Sequence, residues 1–483
     1  MRKPICLTAV LVAFVVFAAT TQAADETRSA PAAPAGPRRS WQVAVIERCG
    51  PSVAAIFAQD KDNNFVSGSG SVVHSDGYIL TNDHVVQDRP GAVLLRGFPP
   101  LQFRTIGRLW EKDLALLKVE AGKPLVAVPL GRSHDVLAGE PILVGGNPGG
   151  RGVVFSSGIV SAPDILLGPS ALTMTFFPDD ARDRFLQFDA ASNPGNSGGP
   201  VINAEGEQIA VVVSKVLQEQ DINFAIPIDR AHRAFADLVL PEERGDFSTG
   251  FVLERGKPVL ARVAAKGPAE NAGLAAGDTI TALGETPVKS ALDLLIALVG
   301  RKSGERLTVK YVRAGEARET ALTLGTYPTA PGLGAKGRTA GLHYRLYRGR
   351  FNKCPDFGKL SIVQEGTVAD HRLNLIEKLP DDEYALSFDG YVEIPETGVW
   401  SVAIGSDDGS RLFLDGELLA ENDGPHPMQW TSGRRRLAKG LHPIRIEFFE
   451  ATGDADLQVV LTRDGSSERL EPKYFVDGPA LRP

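Results

Sequence analysis

Cysteine is scarce: Cys6, Cys49 and Cys354 are the only three in 483 residues. That is too few for a disulfide framework, so a small stapled fold is excluded. Cys49 and Cys354 lie far apart in sequence and read as ordinary buried or free thiols, a bridge in an oxidising compartment being the alternative. No cysteine and histidine cluster has zinc-ligand spacing. A basic excess is also missing. With 52 Lys and Arg against 59 Asp and Glu, the net charge is -7, which gives no reason to expect a nucleic-acid partner. The one basic run, Arg434 to Arg436, reads as a solvated strand edge. The apolar run from Ile5 to Ala19 is too short to span a bilayer comfortably.

That run reads instead as the middle of a secretory signal. Arg2 and Lys3 precede it, and Thr21-Gln22-Ala23 offers a small-residue cleavage site. Residues 1–23 are therefore expected to direct export, to the periplasm or beyond, and to be removed; an uncleaved anchor is the alternative. Residues 24–40, with Pro31, Pro34, Gly36 and Pro37, read as a flexible leader. The remaining length suits about three domains.

The richest stretch is Asp189 to Pro200, D-A-A-S-N-P-G-N-S-G-G-P. It sets Ser197 at the tip of a tight turn framed by Gly195, Gly198 and Gly199, which leave its hydroxyl open to approach. N–H groups of Gly195 and Ser197, around Asn196, would converge on an oxyanion formed when the serine attacks a carbonyl. His84 in T-N-D-H-V-V and Asp113 in K-D-L-A-L-L-K-V complete the residue types of a nucleophilic triad. Singly, each has a plain structural reading: a surface histidine, a turn aspartate, a turn serine. Together they point to acyl transfer without a catalytic cofactor.

With those motifs, P-S-V-A-A-I from Pro51, S-S-G-I-V-S-A from Ser156 and I-N-F-A-I-P from Ile222, residues 41–240 resemble the trypsin-like serine proteases of the high-temperature-requirement (HtrA/Deg) type. The resemblance implies two β-barrels, spanning Val53 to Val119 and Pro141 to Pro227, with the site in the cleft between them. It also implies cleavage of unfolded or exposed protein segments. Ala191, six before the serine, would line the base of the specificity pocket, with Ser192 beside it. A carboxylate is absent there, so a buried arginine or lysine would lack a counter-charge, and small aliphatic residues are the expected preference. The opposite wall is assigned to Ala210–Lys215, including Val213, Ser214 and Lys215, as a strand that pairs with substrate. Residues 162–184, with Phe176 and Phe177, fall where relatives keep a regulatory loop. Relatives often form trimers through the protease domain, so the resemblance implies a homotrimer as one assembly open to this chain. A non-proteolytic chaperone or binding scaffold on the same fold is the competing reading.

Beyond an amphipathic helix from about Asp229 to Leu240, P-A-E-N-A-G-L-A-A-G-D-T-I from Pro268 makes residues 241–326 resemble an α+β PDZ domain. A carboxyl-terminal peptide would then add as a strand at Thr249, Gly250, Phe251 and Val252, opposite a helix from about Ala291. Residues 327–340, rich in proline, glycine and alanine, read as a linker. From Gly341 apolar alternation returns; Ile444, Ile446 and Phe448 share one strand face. F-D-G-Y-V-E-I-P-E-T-G-V-W-S-V-A-I-G-S-D-D-G-S makes residues 341–478 resemble the all-β protective-antigen module, often attached to carbohydrate-active or adhesive proteins. Asp407 and Asp408 match an aspartate pair that some members use to hold calcium. A plain hairpin turn is the alternative there, and buried roles are expected for Trp400 and Trp430. The chain as a whole is read as mainly β.

Overall fold

The computed structural model describes residues 39–59, 64–87, 89–166, 184–213, 222–254, 256–464, 466 and 468–477. The expected signal, most of the leader, residues 167–183 of the loop with Phe176 and Phe177, and Ser214 and Lys215 lie outside these. From Trp41 onward the described residues form one compact unit. None of their helices is long and apolar enough to cross a membrane.

The unit begins with helix α1 (Trp41–Cys49), which sequence reading had left unassigned. Only Val45 and Cys49 are buried along it, packed with Val128, Leu143 and Ile202, so its apolar periodicity is weak.

Two closed six-stranded barrels follow. The first comprises β1 (Val53–Gln59), β2 (Phe65–His74), β3 (Tyr78–Thr81), β4 (Gly91–Leu94), β5 (Leu101–Leu109) and β6 (Leu114–Val119), with the short helix α2 (Asp83–Val86) after β3. The second comprises β7 (Pro141–Gly146), β8 (Val154–Leu166), β9 (Arg184–Phe188), β10 (Pro200–Asn203), β11 (Gln208–Val213) and β12 (Asn223–Pro227). Several strands are buried on both faces, which explains their unbroken apolar runs. Along β6, Ala115, Leu117 and Val119 enter the first barrel's core, while Leu114 and Leu116 face the layer around helix α3 (Ile228–Val239). Along β11, Ala210 and Val212 fill the second barrel, and Val211 and Val213 face that same layer.

Helix α3 buries Ile228, Ala231, Phe235 and Leu238, an amphipathic spacing. Leu240 closes it in the left-handed region with its N–H on the Ala236 carbonyl. Pro241 then opens the short helix α4 (Pro241–Gly245), at the position where a missing N–H costs nothing.

The next domain carries a four-stranded antiparallel sheet and a helix over Ala291–Leu298. Ser290 and Asp293 cap this helix reciprocally, each side chain accepting the other's backbone N–H. Its two faces serve different cores. Leu294 and Leu298 join the domain's own, while Leu292 and Ile296 pack with Phe235 and Leu238 of α3.

The carboxyl-terminal region consists of an eight-stranded and a four-stranded sheet that share one core. Ile444, Ile446 and Phe448 all point into it, with Trp400 beside them. Two expectations are corrected here. The 327–340 segment is tied down: Leu333 exchanges both backbone hydrogen bonds with Leu441, and Arg338–Ala340 pairs with Tyr474–Asp477. Arg434 and Arg436 are not a solvated edge either. They point from strand Gln429–Leu437 onto the first barrel and α4, where half-buried carbonyls, Arg108 O and Glu243 O, accept their guanidinium N–H groups.

Candidate active site

His84 and Asp113 meet at the rim of the first barrel. The His84 ring Nδ1 lies 2.9 and 2.8 Å from the two carboxylate oxygens of Asp113, and the His84 backbone N–H donates to Oδ1 at 3.0 Å. A proton on Nδ1 shared with the carboxylate leaves Nε2 as the acceptor nitrogen. Asp113 is almost fully buried and sits in the left-handed region at φ 48, closing the 3-10 turn Trp110–Lys112. Its N–H donates to Trp110 O at 3.2 Å and its carbonyl accepts from Asn82 Nδ2 at 2.9 Å. Next to His84, Asp83 takes a fork from Arg108: Nε to Oδ1 at 2.5 Å and Nη2 to Oδ2 at 3.1 Å. Burial still holds the Asp83 carboxyl above its usual range, with the Arg108 hydrogen bonds pulling the other way.

Ser197 comes from the second barrel and abuts β2 of the first. Its carbonyl accepts from Ser69 N–H at 2.8 Å, and Ser69 O accepts the Thr81 hydroxyl at 2.6 Å. Gly198 has φ 84, and a Cβ there would come within 2.3 Å of Thr81 Oγ1. Only glycine lets the nucleophile turn approach the residues that lead to His84 so closely.

The Gly195-Asn196 peptide is held at both ends. Gly195 O accepts from Ser69 Oγ at 2.7 Å, and Asn196 N–H donates to Asn193 O at 3.0 Å. Ser69 Oγ also accepts from Asn147 N–H at 2.8 Å. Ser69 is therefore a hub that sequence reading missed; its setting, G-S-G-S-G-S, gives no sign of which hydroxyl turns inward.

Of the proposed pocket residues, Ala191 is exposed and Ser192 half-buried, and Ala191 O accepts from Ser156 Oγ at 2.7 Å. The nearby Asp189 carboxylate is engaged by Ile159 N–H at 2.7 Å. Ala210–Val213 do not offer a free strand edge. β11 pairs with β10 on one side and β12 on the other, and Val212 exchanges further bonds with Gly198 and Gly199. A strand already flanked on both sides has no ladder groups left for substrate, so Val213 is a core residue at the start of that wall.

In the following domain, Gly250, Phe251 and Val252 line a cavity of about 740 Å³ together with Ala291, Leu295 and Leu298 of the helix. Thr249 is fully buried, and both its N–H and its hydroxyl donate to Glu242 Oε1 from α4.

Asp407 ends a strand of the four-stranded sheet and Ser410 begins one of the other, so S-D-D-G-S is a corner between sheets rather than a hairpin. Asp408 accepts His426 N–H and Ala451 N–H, each at 2.8 Å. Burial and the Asp408 charge push Asp407 up to about 6. Burial, Asp408 and Asp407 push Glu450 up to about 8, and neither Glu450 carboxyl oxygen has a hydrogen-bond partner. Crowded carboxyls with orphaned oxygens suit a cation. Among the described residues, however, no three His, Cys, Asp or Glu side chains are grouped to hold a metal. Cys49 and Cys354 are both buried free thiols.

The double barrel and this constellation define a trypsin-like serine peptidase domain, carried with two further modules. Known family patterns match in the same order: the trypsin-like peptidase domain over residues 68–211, the PDZ domain over 245–324 and the PA14 domain over 339–473. In this order of domains the chain is similar to DegP-like serine endoproteases over its first two, with a PA14 domain following them. A probable periplasmic serine endoprotease, DegP-like, of Ectopseudomonas mendocina is 35% identical over 293 residues, covering 57% of this chain and 60% of that protein. A namesake from Hahella chejuensis is 34% identical over 281 residues, covering 54% and 57%. The chain thus spans under two thirds of the length of these relatives. Among solved structures, the serine endoprotease of Yersinia pestis is 26% identical, with coverage of 60% and 99% and a TM-score of 0.36. The HtrA-type protease AlgW with decapeptide is 25% identical, with coverage of 60% and 100% and a TM-score of 0.36.

Proposed function

We propose that this protein is an exported serine endopeptidase that cleaves exposed or unfolded segments of other polypeptides through an acyl-enzyme, after small aliphatic residues. The observation that carries this reading is the double engagement of His84 Nδ1 by Asp113 beside the glycine-framed Ser197 turn. His84 Nε2 takes the proton of Ser197 as its oxygen attacks the peptide carbonyl, and returns it to the leaving amine. Asp113 keeps the ring oriented. Gly195 and Ser197 N–H groups, with the Asn196 peptide fixed between them, receive the oxyanion. The names of the relatives support a periplasmic setting, in keeping with the amino-terminal 1–23 segment. The PDZ cavity would take peptide carboxyl ends, and the PA14 domain a glycan.

A fluorophosphonate probe is expected to label the wild type and not Ser197→Ala, and only the wild type should degrade denatured casein. A peptide library should then show cleavage after valine or alanine; cleavage mainly after arginine would defeat the pocket assignment. An unlabelled, inactive wild type would favour a scaffold or chaperone.

Calcium is the proposed ligand at Asp407 and Asp408, two adjacent carboxylates that suit a hard cation, although no third such side chain is grouped with them among the described residues. Titrating the full chain should release heat and raise its melting temperature, effects that Asp407→Asn should abolish. No heat and no thermal shift would leave the corner purely structural.

A further inference from the structure

The PA14 domain touches the protease at one place with direct bearing on the chemistry, the 3-10 turn Trp110–Lys112 that leads into Asp113. Ser432 Oγ donates to Glu111 Oε1 at 2.7 Å. Arg434 places Nη1 3.8 Å from that same oxygen and donates from Nη2 to Arg108 O at 2.6 Å. Trp110 is gripped as well: Trp430 meets it edge-on at 5.2 Å, and the Arg469 guanidinium lies 4.0 Å over its ring. Glu111 is only 1% exposed in this setting.

The turn is short, and Asp113 is bound to it by its N–H on Trp110 O, so a displacement of Trp110 or Glu111 is passed to the carboxylate within three residues. Arg434 reaches the histidine side too, since the Arg108 whose carbonyl it holds forks Asp83, the neighbour of His84. One strand of the PA14 domain, Gln429–Leu437, therefore abuts the segments that carry both the acid and the base of the triad.

Resting on the peptidase reading above, we propose that Ser432 and Arg434 of the PA14 domain, acting through Glu111, are positioning residues for Asp113, so that the accessory domain is a structural part of the active site. Such a role predicts loss of turnover without loss of substrate affinity. Misplacement by an ångström far from the chemistry can cost about 100-fold in rate.

The test uses the full chain carrying Ser432→Ala with Arg434→Met. The expected result is a fall in kcat of about 10- to 100-fold, an unchanged KM, a matching fall in the rate of fluorophosphonate labelling, and partial recovery with Arg434→Lys. Asp464→Asn weakens docking elsewhere, at the paired Arg244 of α4. It should lower the melting temperature while leaving kcat within twofold. If the double variant does not fold, Glu111→Gln is read in the same assays, with the same split between kcat and KM expected. Variants that fold and turn over like the wild type overturn the proposal: the module would then merely pack against the protease. A wild type that neither labels nor cleaves overturns the peptidase reading itself, and the positioning role with it.

Discussion

Ser69 ties the turn that carries Ser197 to the first barrel. Its hydroxyl donates to Gly195 O and accepts Asn147 N–H, while its backbone N–H holds Ser197 O. Ser69→Ala removes the first two and loosens the Gly195-Asn196 peptide that links the two proposed oxyanion donors, Gly195 N–H and Ser197 N–H, so that a donor swings out of line. Loss of an oxyanion donor costs about 10² to 10³ in kcat, so a fall of up to about 100-fold with little change in KM is expected. Steady-state kinetics on a peptide substrate measure it, and an unaltered kcat would show that the peptide is fixed by other means. His84 and Asp113, which the structure brings together, were legible in the sequence because they sit in distinctive local text, as does the proposed nucleophile Ser197. Ser69 was not, because a hydroxyl in a serine and glycine run gains its role only when β2 turns it toward the second barrel. Arg434 was missed for a related reason: only docking provides the Arg108 carbonyl and the Glu111 carboxylate that it faces.

At the level of elements, strand runs were readable where apolar residues were continuous, as in β6 and β11, but their pairing was not. Of the wall expected over Ala210–Lys215, the described part, Ala210–Val213, is already paired on both sides, because register, not composition, decides which edge is free. Helix α4 shows how a short element ties two domains: Glu242 on it accepts the N–H and hydroxyl of the buried Thr249, next to the cavity-lining Gly250. Burial pushes its carboxyl up to about 7 from a usual 4.5. The folded protein thus keeps a proton there that the unfolded chain has released, and this contribution to stability is present below about pH 4.5 and lost as pH rises through 7. Glu242→Gln retains an acceptor for Thr249 but cannot ionise. Between pH 5 and pH 8 the wild-type melting temperature should therefore fall relative to that of the variant. Parallel pH profiles for the two would show that the carboxyl ionises without penalty.

Across the whole molecule, composition drops suggested three separable domains, yet the interfaces are built like interiors. Leu292 and Ile296 of the PDZ helix share a cluster with Phe235 and Leu238 of α3. The PA14 domain is fastened by the Arg244 fork onto Asp464, both bonds at 2.7 Å, by Arg436 on Glu243 O and by the Trp110–Trp430 pair. The 327–340 segment lends no slack, since Leu333 is bonded back to the PA14 sheet. An aromatic pair adds about 0.5–1.5 kcal/mol beyond its buried area, and truncating a large core residue costs about 2–5 kcal/mol. Several such contacts acting together make independent unfolding of one domain unfavourable. Calorimetry of the intact protein should accordingly show one cooperative endotherm. Trp430→Ala combined with Asp464→Asn should split off a lower transition for the PA14 domain, because those changes remove the edge-on aromatic pair and the fork while leaving its own core intact. Three resolved transitions in the wild type would instead mean that the domains behave as beads, and that no signal from the PA14 domain reaches Asp113 through packing.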